Sequence, residues 1–68
     1  MINETIIKEL NDRFLGKRIS VENNKGKWVG NSTFIGNNEH FPSFELQVTL
    51  DRTPVTNIKI NLIKLAEL

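Results

Sequence analysis

The chain has 68 residues, of which 38% are hydrophobic and 25% charged, and its formal net charge is +1. A chain this short forms one domain with a thin core and leaves roughly 40% of its unfolded surface exposed, which argues against a deep, water-excluded active site. Its apolar content is too high for a disordered chain and too low for a membrane-embedded one, so we expect a folded domain with no membrane partner.

The chain contains no cysteine, and its only histidine is His40. Disulfide and zinc links are thereby excluded, and we expect neither a metal nor a cofactor. Domains below about 80 residues that lack such links depend on good local packing or on oligomerisation, so a homo-oligomer is among the expected assemblies. Charged residues interrupt the first ten positions, which shows no export signal, and we expect a cytoplasmic protein.

The N-terminal segment has helical periodicity. Apolar residues recur at Ile6, Ile7, Leu10 and Phe14, a spacing that places them on one face of a helix. Asn3 provides an N-cap and Gly16 provides a left-handed C-cap. The sequence therefore predicts an amphipathic helix that begins at residue 4 and ends before Gly16.

The apolar period changes to two from Arg18, which predicts a first strand ending at Glu22. Asn23-Asn24-Lys25-Gly26 forms a turn, and a second strand follows from Lys27 to Ile35. Gly30 lies inside that strand and marks a bend or bulge. Sharp curvature of the sheet is expected there.

The second half of the chain begins with a polar, breaker-rich loop from Gly36 to Pro42. A third strand is predicted from Ser43 to Leu50, and a fourth runs from Val55 to Ile60 after a turn. The segment Asn61–Leu68 permits either a short strand through Ile63 and Leu65 or a short helix.

These elements predict a single α+β domain over residues 1–68 that is mainly β. An N-terminal helix is followed by four or five strands in a strongly bent antiparallel sheet. A sheet this short with a glycine bend is expected to close as a small SH3- or Sm-like barrel, because closure removes its edges.

The order of elements resembles the Sm-like small barrels, and the bacterial RNA-chaperone members are the nearest. The residues that carry the resemblance are Phe14-Leu15 at the helix end, the Asn23–Gly26 turn with Lys27–Gly30 after it, and the closing Ile58–Ile63 segment. The resemblance implies RNA binding and ring formation through edge strands. The family's tyrosine and histidine in the final strand are missing, so no RNA contact residue is carried over. A Tudor- or SH3-like barrel with a helical prefix accounts for the pattern equally well.

Basic residues crowd the segment from Arg13 to Lys27, which is opposed only by Glu22, and Trp28 follows them. With Phe34 at the same strand parity, Trp28 could stack bases while the cations neutralise phosphates. The alternative is that both aromatics belong to the core, and the low net charge favours it. Phe41, beside Pro42, either anchors a protein partner or folds back over the open end of the barrel. The candidate nucleic-acid or partner-binding residues are Lys17, Arg18, Lys25, Lys27, Trp28 and Phe41.

No nucleophile, base and orienting group can be assembled from these residues, so we do not expect an enzyme. The sequence favours a small non-enzymatic binding module: a protein-interaction adaptor, or an inhibitor of the kind that phages and mobile elements encode. An Sm-like protein that binds RNA or single-stranded nucleic acid is the alternative.

Overall fold

The computed structural model describes residues 4–37, 46–57 and 63–68. The elements, in chain order, are α1 (Glu4–Phe14), β1 (Arg18–Asn23), β2 (Gly26–Gly36), β3 (Leu46–Leu50), β4 (Thr53–Asn57) and β5 (Lys64–Glu67). The predicted class, α+β and mainly β, is confirmed. Several predicted features lie outside the described residues: the Asn3 cap, most of the loop that contains Phe41, the start of the third strand at Ser43 to Glu45, and the end of the fourth strand.

Helix α1 begins at Glu4, as predicted, and is attached to the sheet at its second half. The Asn11 amide nitrogen donates hydrogen bonds to the carbonyls of Ile7 (2.8 Å) and Ile35 (3.1 Å), which lies in β2. Phe14 is buried at the end of the helix. Gly16 has φ of 79°, the left-handed conformation predicted for the cap, and its N–H donates to the carbonyl of Ser32 (2.9 Å). The helix therefore leads directly into the sheet.

Strands β1 and β2 form a tight hairpin in which Asn23 pairs with Gly26. The Asn23 side-chain oxygen accepts hydrogen bonds from the N–H groups of Lys25 (2.8 Å) and Gly26 (3.1 Å). An asparagine that bonds the backbone two and three residues ahead stabilises a turn without a longer loop. The second strand accordingly extends one residue beyond the predicted range at each end.

Strand β2 is shared between two halves of the sheet. Its residues 26–31 pair with β1, and its residues 32–36 pair with β3, with a register shift between Ser32 and Phe34. The Thr33 hydroxyl at this bulge shares its one hydrogen between the carbonyls of Thr49 (3.3 Å) and Asp51 (3.2 Å). A bulge bends its strand, so the change of partner beside Gly30 accounts for the predicted curvature.

The bend brings the inner faces of the two halves together around one core. Leu46, Val48 and Leu50 are buried on β3, whereas the intervening Gln47 and Thr49 are only half-buried, as their alternation predicts. The buried hydrophobic residues are Phe14, Ile19, Val21, Ile35, Leu46, Val48, Leu50 and Val55.

The C-terminal strands differ from prediction at the start of β4, and they decide between the two alternatives for the last segment. Leu50 pairs with Thr53 across a two-residue turn, so β4 begins at Thr53 rather than at Val55. Asp51 in that turn has φ of 53°, which an aspartate tolerates better than most residues. The ambiguous C-terminal segment contains a strand, β5, which pairs antiparallel with β1.

The strand order is β4-β3-β2-β1-β5, so β4 and β5 are the two edges of the sheet. No pairing joins these two strands in the ranges described, and the predicted closure into a barrel is not confirmed. Among the described residues, no helix has the length and apolar content needed to span a membrane.

Candidate binding groove between the helix and the sheet edge

The structure distributes the predicted basic residues over both ends of β1. Lys17 precedes the strand, and its ammonium lies 3.5 Å from the Glu67 carboxylate. Lys25 is exposed in the turn at the other end, about 20 Å away along a strand of this length. Lys27 is directly opposite Glu22, and Arg18 is opposite Asn31. Glu22 and Glu67 therefore lie beside two of the predicted cations.

Trp28 lies on the face of β2 opposite to that of Lys27. It pairs with the buried Val21, is half-buried, and packs against the core. The bulge after Ser32 shifts the alternation, so Phe34 pairs with Thr49 on the outer face and is 42% exposed. The shared face expected for Trp28 and Phe34 is therefore wrong. Trp28 packs against the core, as the alternative interpretation predicted for both aromatic residues. Phe34 does not belong to the core.

A pocket whose lining side chains are apolar apart from Arg13 lies where α1 meets β5 and the start of β3. Its volume is about 150 Å³. It is lined by Leu10, Arg13, Phe14, Leu46, Ile63 and Leu65. A wider, more open groove of about 510 Å³ continues from it and is lined by Asp12, Arg13, Phe14, Lys17, Leu65, Ala66 and Glu67. We call the pocket and the groove together the α1–β5 groove.

Arg13 lies at the junction of the pocket and the groove, since it lines both. Its guanidinium carbon is 5.0 Å from the centroid of the Phe14 ring, which is within the range of a cation–π interaction. Within the part of the chain that the structure describes, the ion pair of the groove joins Lys17 to Glu67, and none joins Arg13 to a carboxylate. Arg13 thus presents a positioned cation above an apolar floor.

The backbone of β5 alternates between bonding to β1 and pointing away from it. The Leu68 N–H donates to the Arg18 carbonyl at 3.0 Å, so Leu68 and Arg18 form a hydrogen-bonded pair of the antiparallel ladder. Because bonded and non-bonded pairs alternate in antiparallel strands, Ala66 also bonds to β1, opposite Ser20, whereas Leu65 and Glu67 direct their N–H and C=O groups outwards. No described strand pairs with this outer edge.

The groove runs along this edge. Side chains of successive strand residues point to opposite faces, so a surface that touches Leu65, Ala66 and Glu67 in turn follows the backbone of β5 rather than one of its faces. The floor of the groove and the outward backbone groups of β5 are therefore adjacent.

Sequence reasoning did not find the α1–β5 groove. The apolar face of the predicted helix was visible, but the alternatives for Asn61–Leu68 left the partner of that face undefined. The usable signal was the alternation of Ile63 and Leu65 with Lys64, which is a strand pattern. Of the predicted site residues that the structure describes, Lys17 is the one that lines the groove; Phe41 lies outside the described ranges.

Among the described residues, no group of histidine, cysteine, aspartate and glutamate side chains is arranged to hold a metal ion. Comparison of the chain with protein-family models, with curated proteins and with solved structures finds no match. The structure itself defines a small α+β domain with a bent five-stranded antiparallel sheet and a groove along one sheet edge.

Proposed function

We propose that this chain is a small non-enzymatic protein-interaction module and that it binds its partner in the α1–β5 groove. The observation that carries the proposal is the adjacency of an apolar pocket to a strand edge that no described strand covers. Apolar pockets supply affinity by excluding water, and open strand edges supply backbone hydrogen bonds. We place such a module in the cytoplasm as an adaptor, or as an inhibitor of the kind that phages and mobile elements encode.

Binding of single-stranded RNA is the second candidate. It is supported by the exposed Lys25 and Lys27 at the hairpin and by the Sm-like order of elements. The position of Glu22 beside Lys27, and of Glu67 beside Lys17, lowers the positive potential that phosphates require. The protein-interaction hypothesis therefore has the stronger support.

Site-specific photo-crosslinking tests the proposal. A benzophenone side chain placed at Asp12, an exposed residue that lines the groove from α1, is expected to form a discrete protein adduct in a bacterial lysate. The matched probe at Asn31, exposed on the outer face of β2, is expected to form none. Excess unlabelled wild-type chain should abolish the adduct, whereas a Leu65→Arg variant with an unchanged unfolding curve should not.

Equal labelling from Asp12 and Asn31, or none from Asp12, would contradict binding in the groove. A mobility-shift assay with single-stranded RNA at two salt concentrations tests the second candidate. We expect no shift at either concentration. A shift at low salt that is weakened by the Lys25→Gln and Lys27→Gln variants would favour nucleic-acid binding instead.

A further inference from the structure

We infer that the segment bound in the α1–β5 groove is an extended peptide that adds to β5 as a sixth strand. One apolar side chain of the peptide enters the pocket, and a carboxylate meets Arg13. This inference rests on the proposed function and specifies the chemistry of its partner.

The backbone of β5 provides the first element of recognition. Leu65 and Glu67 each direct one N–H and one C=O outwards, which gives up to four hydrogen bonds for an added strand. These two residues are separated by about 6.7 Å, the repeat of two residues in any extended peptide. The edge therefore selects an extended backbone without selecting its side chains.

The pocket provides the second element. Residues directly opposite each other on neighbouring strands place their side chains on the same face, so a peptide residue opposite Leu65 points towards the pocket that Leu65 lines. A cavity of about 150 Å³ accepts a group of the size of benzene. One valine, leucine, isoleucine or phenylalanine side chain fits this volume.

Arg13 provides the third element. Its planar guanidinium presents several donors in a fork that matches a carboxylate, and its contact with the Phe14 ring holds it in place. The Lys17–Glu67 ion pair competes only weakly with the contact between a peptide carboxylate and Arg13, because both of its side chains are about half exposed (46% and 57%). In a peptide antiparallel to β5, the residue two positions after the apolar one lies on the same face, opposite Ile63, which lines the pocket together with Arg13. The expected pattern is therefore apolar, any residue, acidic.

The other edge of the sheet argues against a second copy that pairs its β4 with β5. Leu50 and Thr53 flank a two-residue turn, so Pro54 and Thr56 direct their backbone away from β3. Proline has no N–H, and Thr56 is then the single outward donor in the described part of β4. A second copy that offers β4 to β5 would leave part of the edge unbonded.

The experiment is selection of a random heptapeptide phage library on the intact chain, followed by fluorescence anisotropy of the most enriched synthetic peptide. We expect enriched sequences with the apolar-any-acidic pattern. Arg13→Gln is expected to weaken binding of that peptide at least tenfold. Lys25→Gln, which changes a cation outside the groove, should leave affinity within twofold.

Glu67→Pro and Glu67→Ala form a matched pair. Both remove the carboxylate, but only proline removes the outward N–H, so we expect at least a tenfold loss for proline and less than threefold for alanine. Hydrogen exchange on the wild-type chain covers the case in which Glu67→Pro fails to fold. Bound peptide should slow exchange of the Leu65 and Glu67 amides at least tenfold, with Ala66 little changed.

The inference would be overturned if Arg13→Gln and Glu67→Pro left the affinity for the enriched peptide unchanged. It would also be overturned if bound peptide did not slow exchange of the Leu65 and Glu67 amides. Failure to enrich any peptide, with the Asp12 photo-adduct still formed, would overturn the peptide chemistry and leave the proposed function standing. If no peptide is enriched and no photo-adduct forms, both the proposed function and this inference are wrong. Concentration-dependent self-association that blocks peptide binding would assign the edge to a second copy and would also overturn the inference.

Discussion

Replacement of Phe14 by alanine is expected to lower the free energy of unfolding by about 3–5 kcal/mol, the range for truncation of a buried phenylalanine. Phe14 is 5% exposed and is the residue of α1 that the core fully buries. Urea unfolding followed by circular dichroism measures the change. A domain of this size has only about 3–10 kcal/mol of total stability, so the variant should lose a large part of it and unfold at a much lower urea concentration.

Leu15→Ala is the control for this prediction. Leu15 is the next residue along the chain but is 44% exposed, so its truncation should cost less than about 0.5 kcal/mol. Equal destabilisation by the two variants would mean that the end of α1 packs on the sheet through a different face.

Gly30→Val is expected to destabilise the domain by about 3 kcal/mol, the upper part of the range for overpacking of a core. A Cβ at this position would lie 2.8 Å from the Asp51 carboxylate oxygen and 3.1 Å from the Leu50 Cβ. The Asp51 side chain is exposed and can move aside, whereas Leu50 is fixed in the core. The midpoint of urea unfolding should fall, with its slope unchanged.

Asn31→Val provides the matched control, because it introduces the same side chain at the next, exposed position of β2. Its expected effect is below about 0.5 kcal/mol. A small loss of stability for Gly30→Val with a large loss for Asn31→Val would show that the two sheet halves do not approach most closely at Gly30.

The local elements were predictable because each depends on short-range chemistry. The helix followed from the spacing of Ile7, Leu10 and Phe14 and from the left-handed cap at Gly16. Strand β3 followed from the alternation of Leu46, Val48 and Leu50, all of which are buried. In each case one face of the element packs against the core, so the pattern of apolar residues records its conformation.

Long-range features were not predictable to the same degree. Parity along β2 predicted that Trp28 and Phe34 share a face, but the bulge after Ser32 reverses the alternation. A bulge adds one residue to one strand, and its position depends on pairing with β3 rather than on the local sequence. The closed barrel was expected from curvature alone, and curvature does not determine whether the outer strands meet.

The α1–β5 groove depends on the same long-range pairing. Its lining comes from the helix, the start of β3 and the last strand, which lie far apart in sequence. The predicted basic cluster was contiguous in sequence, yet pairing places Glu22 and Glu67 among its members. Contiguity along the chain was therefore a poor guide to the surface.

Amide hydrogen exchange of the chain without a partner tests the central claim, that the outer edge of β5, with which no described strand pairs, is open. The Ala66 N–H bonds to β1, whereas the N–H groups of Leu65 and Glu67 point outwards. We expect Ala66 to exchange at least tenfold more slowly than both neighbours. Equal protection of all three amides in a monomeric chain would show that the edge is already covered, and the account of the groove would then be wrong.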